Sequence, residues 1–222
     1  MSRRHALVLG GTGAIGAAVL RGLARAGVKT TFTFHSNADK AKALATEHSQ
    51  SSVKIDLARP DDVRALMADL RDVDILVACA APRSTTTDDE IARAFAVTVQ
   101  ASMVAARALP DDAHAVLVGA LHPAQALPLS PGFAAVQGAL APLAMALAKE
   151  LGPRNVRVNL VTGGLTGAGM SSALEATKQD DYKRFSALRR FGSVDEIAAP
   201  VLWLALENTY VSGKVLPANG GI

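Results

Sequence analysis

Apolar residues fall in short unbroken runs separated by longer amphipathic stretches. His5 to Leu9 shows no polar alternation and ends at a glycine cluster, which predicts a strand buried on both faces. The cluster is Gly10-Gly11-Thr12-Gly13-Ala14-Ile15-Gly16. A helix is then expected to about Ala26, with Ile15, Val19 and Leu23 on one face and Gly27 as its stop. Val28 to Phe34 is rich in β-branched and aromatic residues and predicts the next strand. Strand, glycine turn, helix and strand make one βαβ unit.

The alternation continues to the end of the chain. Ala38 to Glu47 predicts a helix and Ser52 to Asp56 a strand. Pro60 opens a helix to about Leu70. Val73 to Cys79 has the few polar atoms of a central parallel strand. Thr87-Asp88-Asp89-Glu90 is a capping box, opening a helix that runs to Leu109 before Pro110. Ala113 to Gly119 is the fifth strand. Ser130-Pro131 reads as an N-cap followed by a first-turn proline, with the helix ending at Leu151 before Gly152-Pro153. Pro142 cannot donate to the Gly138 carbonyl, so a kink is expected there. Asn155 to Val161 is the sixth strand. Glycines at 163, 164, 167 and 169 precede a charged segment, Glu175 to Arg190, expected as two short helices in a mobile flap spanning 163–190. Ser193-Val194-Asp195-Glu196 is a second capping box for a helix to about Leu206, and Lys214 to Pro217 is a last short strand. Repeated βα units with buried strands predict a Rossmann-type, doubly wound parallel sheet of about seven strands with helices on both faces.

Composition narrows the class. Half of the 222 residues are hydrophobic, which suits one domain with a large core, 1–222. The net charge of +3 is scattered and aromatics are 4%, so no nucleic-acid platform is expected. Cys79 is the one cysteine; it forms no intramolecular disulfide, and a reducing cytoplasm is the expected compartment. Residues 6–9 are too short for a signal-peptide core. No apolar run of about 18 residues suggests a membrane span. The five histidines and one cysteine show no metal-ligand spacing.

The glycine turn follows a strand, opens a helix and lies in a βαβ unit, the context in which such a run binds a dinucleotide. Glycines let the backbone approach a pyrophosphate, and the helix N-terminus supplies N–H donors and the positive end of a dipole. Gly10, Thr12, Gly13, Ile15 and Gly16 are the candidate pyrophosphate contacts. The acid that holds an NAD ribose, expected about 20 residues on, is absent; His35-Ser36-Asn37 stands there. A histidine and small polar groups tolerate a 2′-phosphate better than a carboxylate does, so NADP(H) is favoured over NAD(H), with His35 and Asn37 as candidate contacts. Equally, His35 is an ordinary exposed loop histidine. Asp56, ending the third strand, either accepts a hydrogen bond from an adenine amino group or caps its own loop.

These features together resemble the short-chain dehydrogenase/reductase family, most closely its 3-oxoacyl-acyl carrier protein reductase branch. Val8 to Gly16 is similar to the family's cofactor turn, with Leu9 for a Thr and Ala14 for a Gly. Lys149 to Pro153 and Val156-Arg157-Val158-Asn159 resemble the end of the catalytic helix and the sixth strand. Arg189-Arg190-Phe191-Gly192, Asp195-Glu196-Ile197-Ala198 and Val211-Ser212-Gly213 through Gly221 resemble the C-terminal third. The resemblance implies a catalytic tetrad of Asn, Ser, Tyr and Lys. Those positions map to Thr98, Ala120, Phe133 and Gln137, all substituted. Ala78-Cys79-Ala80-Ala81 replaces an Asn-Asn-Ala-Gly motif. Gly163-Gly164 and Ala168 replace the Pro-Gly and Thr that hold a nicotinamide amide. The departures therefore gather at the nicotinamide end, and the resemblance implies NADP(H) binding mainly through the adenine-phosphate half.

Two function classes follow. One is a non-redox enzyme dehydrating, isomerising or cyclising an acyl-thioester or polyketide-like substrate, with His122 as the candidate acid or base. The other is a non-catalytic subunit that binds a ligand or pairs with an active family member. An NADPH-dependent reductase with relocated catalytic groups is the alternative, with Tyr182 or His122 as its acid. Arg83 is a weak candidate for a phosphopantetheine or carboxylate contact, and Cys79 reads as a structural thiol. A homodimer or homotetramer is expected through the helices Thr87–Leu109 and Pro131–Leu151.

Overall fold

The computed structural model describes residues 4–82, 85–120 and 130–222. Seven strands form one sheet in the order β3-β2-β1-β4-β5-β6-β7, every neighbouring pair parallel. They are β1 (His5–Leu9), β2 (Lys29–Phe34), β3 (Ser51–Lys54), β4 (Ile75–Ala78), β5 (His114–Gly119), β6 (Arg157–Gly163) and β7 (Val215–Ala218). All of β1, β4 and β5 is buried, as their unbroken apolar runs require of strands covered on both faces. The strand order reverses between β1 and β4, so the carboxyl ends of these two strands flank the crevice where a doubly wound sheet takes its ligands.

Helices α1 (Ala14–Arg25), α2 (Ala38–His48) and α3 (Pro60–Asp69) follow the first three strands. Their starts agree with the sequence reading, and Gly27 closes α1 at φ +69°. Both capping boxes are formed. Thr87 caps α4 (Asp88–Phe95) with Glu90 bonding back, and Ser193 caps α9 (Val194–Leu206) with Glu196. Two hydrophobic clusters cover the sheet. One joins Leu7, Leu76 and Leu117 to α3 and to the helical segments Ala101–Arg107 and Leu140–Leu151; the other joins Val8, Val77 and Val161 to α1 and α9.

Three stretches depart in detail from the sequence reading. The helix expected from Thr87 to Leu109 is helical throughout residues 88–107 but widens to a π turn at Ala96–Gln100, between α4 and α5 (Ala101–Arg107). The stretch after Ser130 is two helices, α6 (Pro131–Gly138) and α7 (Leu140–Leu151), broken at Ala139. Pro142 is the cause, because it leaves the Gly138 carbonyl without its helical donor. Between Glu175 and Arg190 there is one helix, α8 (Ala176–Phe185), preceded by a 3₁₀ turn at Gly169–Ala173. Beyond α8 the chain bonds to the C-terminal segment: Ser186 Oγ and Leu188 N donate to the Gly220 carbonyl at 3.1 and 3.0 Å. By length and apolar composition alone, Pro131–Arg154 qualifies as a membrane span, against expectation. In the fold its apolar face, Leu140, Ala144, Leu147 and Leu151, is buried in the core over the sheet.

At the amino end of β5, His114 is buried between Arg157 and the end of α9. Arg157 Nη2 has only hydrogens to offer, so His114 Nε2 accepts at 3.0 Å and Nδ1 donates to the Leu204 carbonyl at 3.0 Å. Burial, then the Arg157 and Arg4 charges, push the imidazole pKa down to about 4. The unfolded chain protonates this ring near pH 6.5 and the folded one does not. Stability should therefore fall as pH drops from about 6.5 to about 4, by on the order of 1–2 kcal/mol after allowing for solvent screening at the ring. Urea unfolding of wild type and His114→Phe across this range checks it. Identical pH slopes for the two proteins would refute it.

Candidate active site

The turn after β1 is built by close contact. Gly10 sits at φ +83°, and a Cβ there would come within 2.8 Å of Ala80 Cα. A Cβ on Gly16 would collide with the Gly10 carbonyl. Thr33 on β2 braces the turn, its Oγ1 accepting from Gly10 N and its carbonyl from Gly11 N, both at 3.0 Å. Gly13 caps α1 with no side-chain acceptor, and no acidic residue lies in the first turn. The positive end of α1 is thus left uncompensated toward the crevice, which suits an anion. Thr12 is partly exposed at the turn, and Ile15 packs its side chain on the core, so any contact Ile15 makes with a phosphate is through its backbone. A Cβ on Gly169, at φ +68°, would lie 3.1 Å from Ala14 Cβ, so the segment after β6 passes over the start of α1.

At the β2–β3 end, His35 is exposed and Asn37 is the N-cap of α2, its Oδ1 accepting from Lys40 N at 3.1 Å. Asp56 does more than cap its loop. Oδ1 accepts from Ala58 N at 3.0 Å and from Arg93 Nη2 at 2.9 Å, and Oδ2 accepts from Arg93 Nη1 at 3.2 Å. Partial burial opposes ionisation of this carboxyl. The Arg93 and Ala58 hydrogen bonds, and the charges of Arg93 and His35, outweigh that and hold its pKa below the ordinary value. Sequence reasoning missed Arg93, and nothing local marks it, because its partner lies across the site on another βα unit.

At the far end, Ala120 follows β5 and its N–H donates to Gln137 Oε1 at 2.9 Å. Gln137 is buried on α6, one turn beyond half-buried Phe133. Ser130 Oγ accepts from Phe133 N at 3.3 Å and lies 3.2 Å from Thr85 Oγ1. Thr162 is in register with Gly119 on the neighbouring strand. Thr98 lies in the π turn, which packs against α6, and its carbonyl accepts from Ser102 Oγ at 2.6 Å. The hydroxyls of Thr98 and Thr162 are buried without a partner among the described residues. The structure thus joins Ala120 to Gln137 directly, with Phe133 on the same helix and Thr98 on the helix beside it.

The remaining candidates separate. Arg83 and His122 lie outside the described residues. Cys79 is half-buried, and the apolar surroundings push its thiol pKa up to about 12, so it is a neutral thiol rather than a nucleophile. Tyr182 is buried on α8, its hydroxyl donating to the Asn219 carbonyl at 2.7 Å. Burial raises its pKa, only partly offset by a backbone hydrogen bond. No group of three or more metal-ligating side chains occurs among the described residues.

Residues 11–222 match the family described as enoyl-(acyl carrier protein) reductase. The chain belongs to the short-chain dehydrogenase/reductase family. A cyclic-di-GMP-binding biofilm dispersal mediator protein of Escherichia coli is 30% identical over 226 residues, covering 96% of this chain and 94% of the relative. A mouse 3-oxoacyl-[acyl-carrier-protein] reductase is 28% identical over 97% of this chain and 96% of its own. Among solved structures, a short-chain dehydrogenase from Burkholderia cenocepacia in complex with NADP has a TM-score of 0.91 at 28% identity, covering 98% of this chain and 97% of that one. BdcA in complex with NADPH has a TM-score of 0.89 at 29% identity, with 98% and 93% covered. The seven-strand doubly wound sheet read from the sequence is therefore that of a dehydrogenase/reductase family with NADP-bound members.

The Gln137–Ala120 hydrogen bond is part-buried and neutral. Gln137→Leu keeps the side-chain volume and leaves the Ala120 N–H without an acceptor. A loss of about 1–3 kcal/mol is expected, read as a lower urea midpoint at unchanged m-value. A loss under about 0.5 kcal/mol, the level of an ordinary surface change, would show that this bond does not hold the end of β5 to α6.

Proposed function

We propose that this protein binds NADP(H) in the manner of a short-chain dehydrogenase/reductase but does not transfer hydride, and that its role is ligand binding. The observation that carries this is the Gln137–Ala120 bond. By the family mapping these two positions hold a cation and a carbonyl-polarising hydroxyl. Here they are an amide and a methyl group, with the amide spent on backbone. Phe133 adds no proton donor. A positioned general acid contributes about 10²–10⁴ in rate, and none of the three side chains supplies one. Tyr182, with its hydroxyl given to Asn219, weighs against a relocated acid.

The nucleotide end keeps its fittings. Glycines hold the turn, α1 opens without a counter-charge, and no carboxylate follows β2 where a 2′-phosphate would lie. The residues present therefore fit the dinucleotide at its adenine-phosphate half, with Gly10, Thr12, Gly13, Ile15 and Gly16 at the pyrophosphate, His35 toward the 2′-phosphate and Asp56 toward the base. Asn37 has its carbonyl oxygen committed to the α2 cap, which leaves its amide N–H groups for a ligand. The NADP- and NADPH-bound structures of family members support the cofactor, and the name of the E. coli relative supports a binding role over catalysis. Segment 163–190, which passes over the start of α1, is the flap that closes on the ligand.

Assembly as a homodimer or homotetramer belongs to the same reading. Phe95 on α4 and Met145 on α7 are each about half exposed, at 48% and 49%, on the two helical stretches expected to pair. Light scattering at micromolar concentration should give a multiple of 22.9 kDa; a strictly monomeric mass would overturn this.

Two measurements test the function. Calorimetry should show NADPH binding at least about ten-fold tighter than NADH, a difference of roughly 1.4 kcal/mol; equal or tighter NADH binding would remove His35 from the phosphate argument. With acetoacetyl thioesters or simple ketones, NADPH oxidation should stay at background at any pH. A turnover around 1 s⁻¹ or faster, within the ordinary enzyme range, would overturn the proposal. Restoring Ala120→Ser, Phe133→Tyr and Gln137→Lys together should give at most weak activity. Misplacement of reacting groups by about 1 Å costs about 10²-fold, and Ala78–Ala81 and Gly163–Ala168 still differ from the reductase pattern.

A further inference from the structure

Asp56 and Arg93 meet at the nucleotide end of the crevice, and the way they meet limits what the carboxylate can still do. Each carboxylate oxygen has two lone pairs in its plane. Oδ1 already accepts two donors, Arg93 Nη2 at 2.9 Å and Ala58 N at 3.0 Å. Oδ2 accepts one, Arg93 Nη1 at 3.2 Å. Among the described residues this leaves one acceptor site on Asp56, on Oδ2. Arg93 also fixes the carboxylate in rotation, since a bidentate guanidinium contact defines a plane as well as a distance. The pair is partly open to solvent, with side chains 28% and 44% exposed, so a base can reach it.

Purines differ in what they offer such an edge. Adenine presents one exocyclic amino group, N6, flanked by the acceptors N1 and N7. Guanine presents two parallel donors, N1–H and N2–H, which need both oxygens of a carboxylate, and an O6 acceptor that would meet a lone pair if it faced Oδ2. A free carboxylate is a good fork for guanine. One whose Oδ1 is saturated is not: one of the two guanine donors is left without a partner, whereas the single adenine amino group is satisfied.

We propose that Arg93 is a specificity-determining residue of the nucleotide site: by occupying three of the four acceptor positions of Asp56 together with Ala58, it restricts the site to 6-aminopurines and excludes guanine. This rests on the reading of the crevice as a dinucleotide site. Arg93 touches no reacting atom; it acts by positioning Asp56. The pair adds little to stability, as exposed ion pairs do, so removing the guanidinium leaves a folded protein.

The test compares NADPH with its guanine analogue by calorimetry, in wild type and in Arg93→Gln. Wild type should prefer the adenine form by about 30-fold or more. In Arg93→Gln, each Asp56 oxygen regains one acceptor position, Oδ1 still holding Ala58 N, and the preference should shrink to about three-fold, mainly through tighter binding of the guanine form. Arg93→Lys, a point charge that cannot form the fork, should fall between the two. The NADPH-over-NADH ratio reads the 2′-phosphate, and it should not change in either variant; a merely structural role for Arg93 would weaken all ligands together. If wild type binds NADPH and Arg93→Gln keeps the full adenine preference, the role of Arg93 is refuted while the dinucleotide site stands. Binding of neither form to wild type at millimolar concentration would refute both. Cyclic-di-GMP displacing NADPH from wild type, with equal or tighter affinity, would refute the exclusion of guanine.

Discussion

The close approach of α1 to β1 is the constraint on which the carboxyl edge of the sheet depends. The chain leaves a fully buried strand at Leu9 and is helical by Ala14, with Gly16 held against the Gly10 carbonyl where a methyl group has no room. Thr33 ties the same turn to β2 through two hydrogen bonds. Once α1 is seated, its N-terminus faces the crevice and its far side packs on α9, where Gly22 accommodates Leu202. A bulkier residue at Gly10 or Gly16 would push the helix off the sheet and move the phosphate-facing N–H groups with it.

The two ends of the crevice rest on different chemistry. At the nucleotide end, charge is retained and organised: a helix dipole and an ionised carboxylate held by a guanidinium. At the other end, the described polar groups are neutral: an amide bonded to a backbone N–H, and two buried hydroxyls. In a low-dielectric interior a neutral network costs less to bury than an ammonium ion, which would need a ligand or carbonyl cluster to balance it. An uncharged floor of this kind suits holding a ligand better than polarising one.

How much of this was legible in the sequence follows the range of each interaction. Both capping boxes could be read because Thr87 and Glu90, and Ser193 and Glu196, bond within one helical turn. The break after Gly138 could be anticipated as a kink, since Pro142 carries its own steric cause. The doubly wound parallel sheet followed from the βα alternation, with most strand ends displaced by one or two residues, as hydrogen bonding rather than hydrophobicity sets them. The π turn at Ala96–Gln100 left no mark, because Ala-Val-Thr-Val-Gln suits an α-helix and only packing against neighbouring helices selects the wider turn. Phe133 and Gln137 were identified as substitutions through family resemblance. That Gln137 holds Ala120, and that Arg93 holds Asp56, was hidden because the partners lie 17 and 37 residues apart.

Helix α4 touches both ends of the crevice. Near its C-terminus Arg93 grips Asp56. Its first turns lie against the start of α6, where Ile91 leaves no space for a Cβ on Gly132, and Thr85, just ahead of the capping box, meets Ser130. The helix therefore bridges the crevice, and a substitution that tilts it would move its contacts with Asp56 and with the start of α6 together.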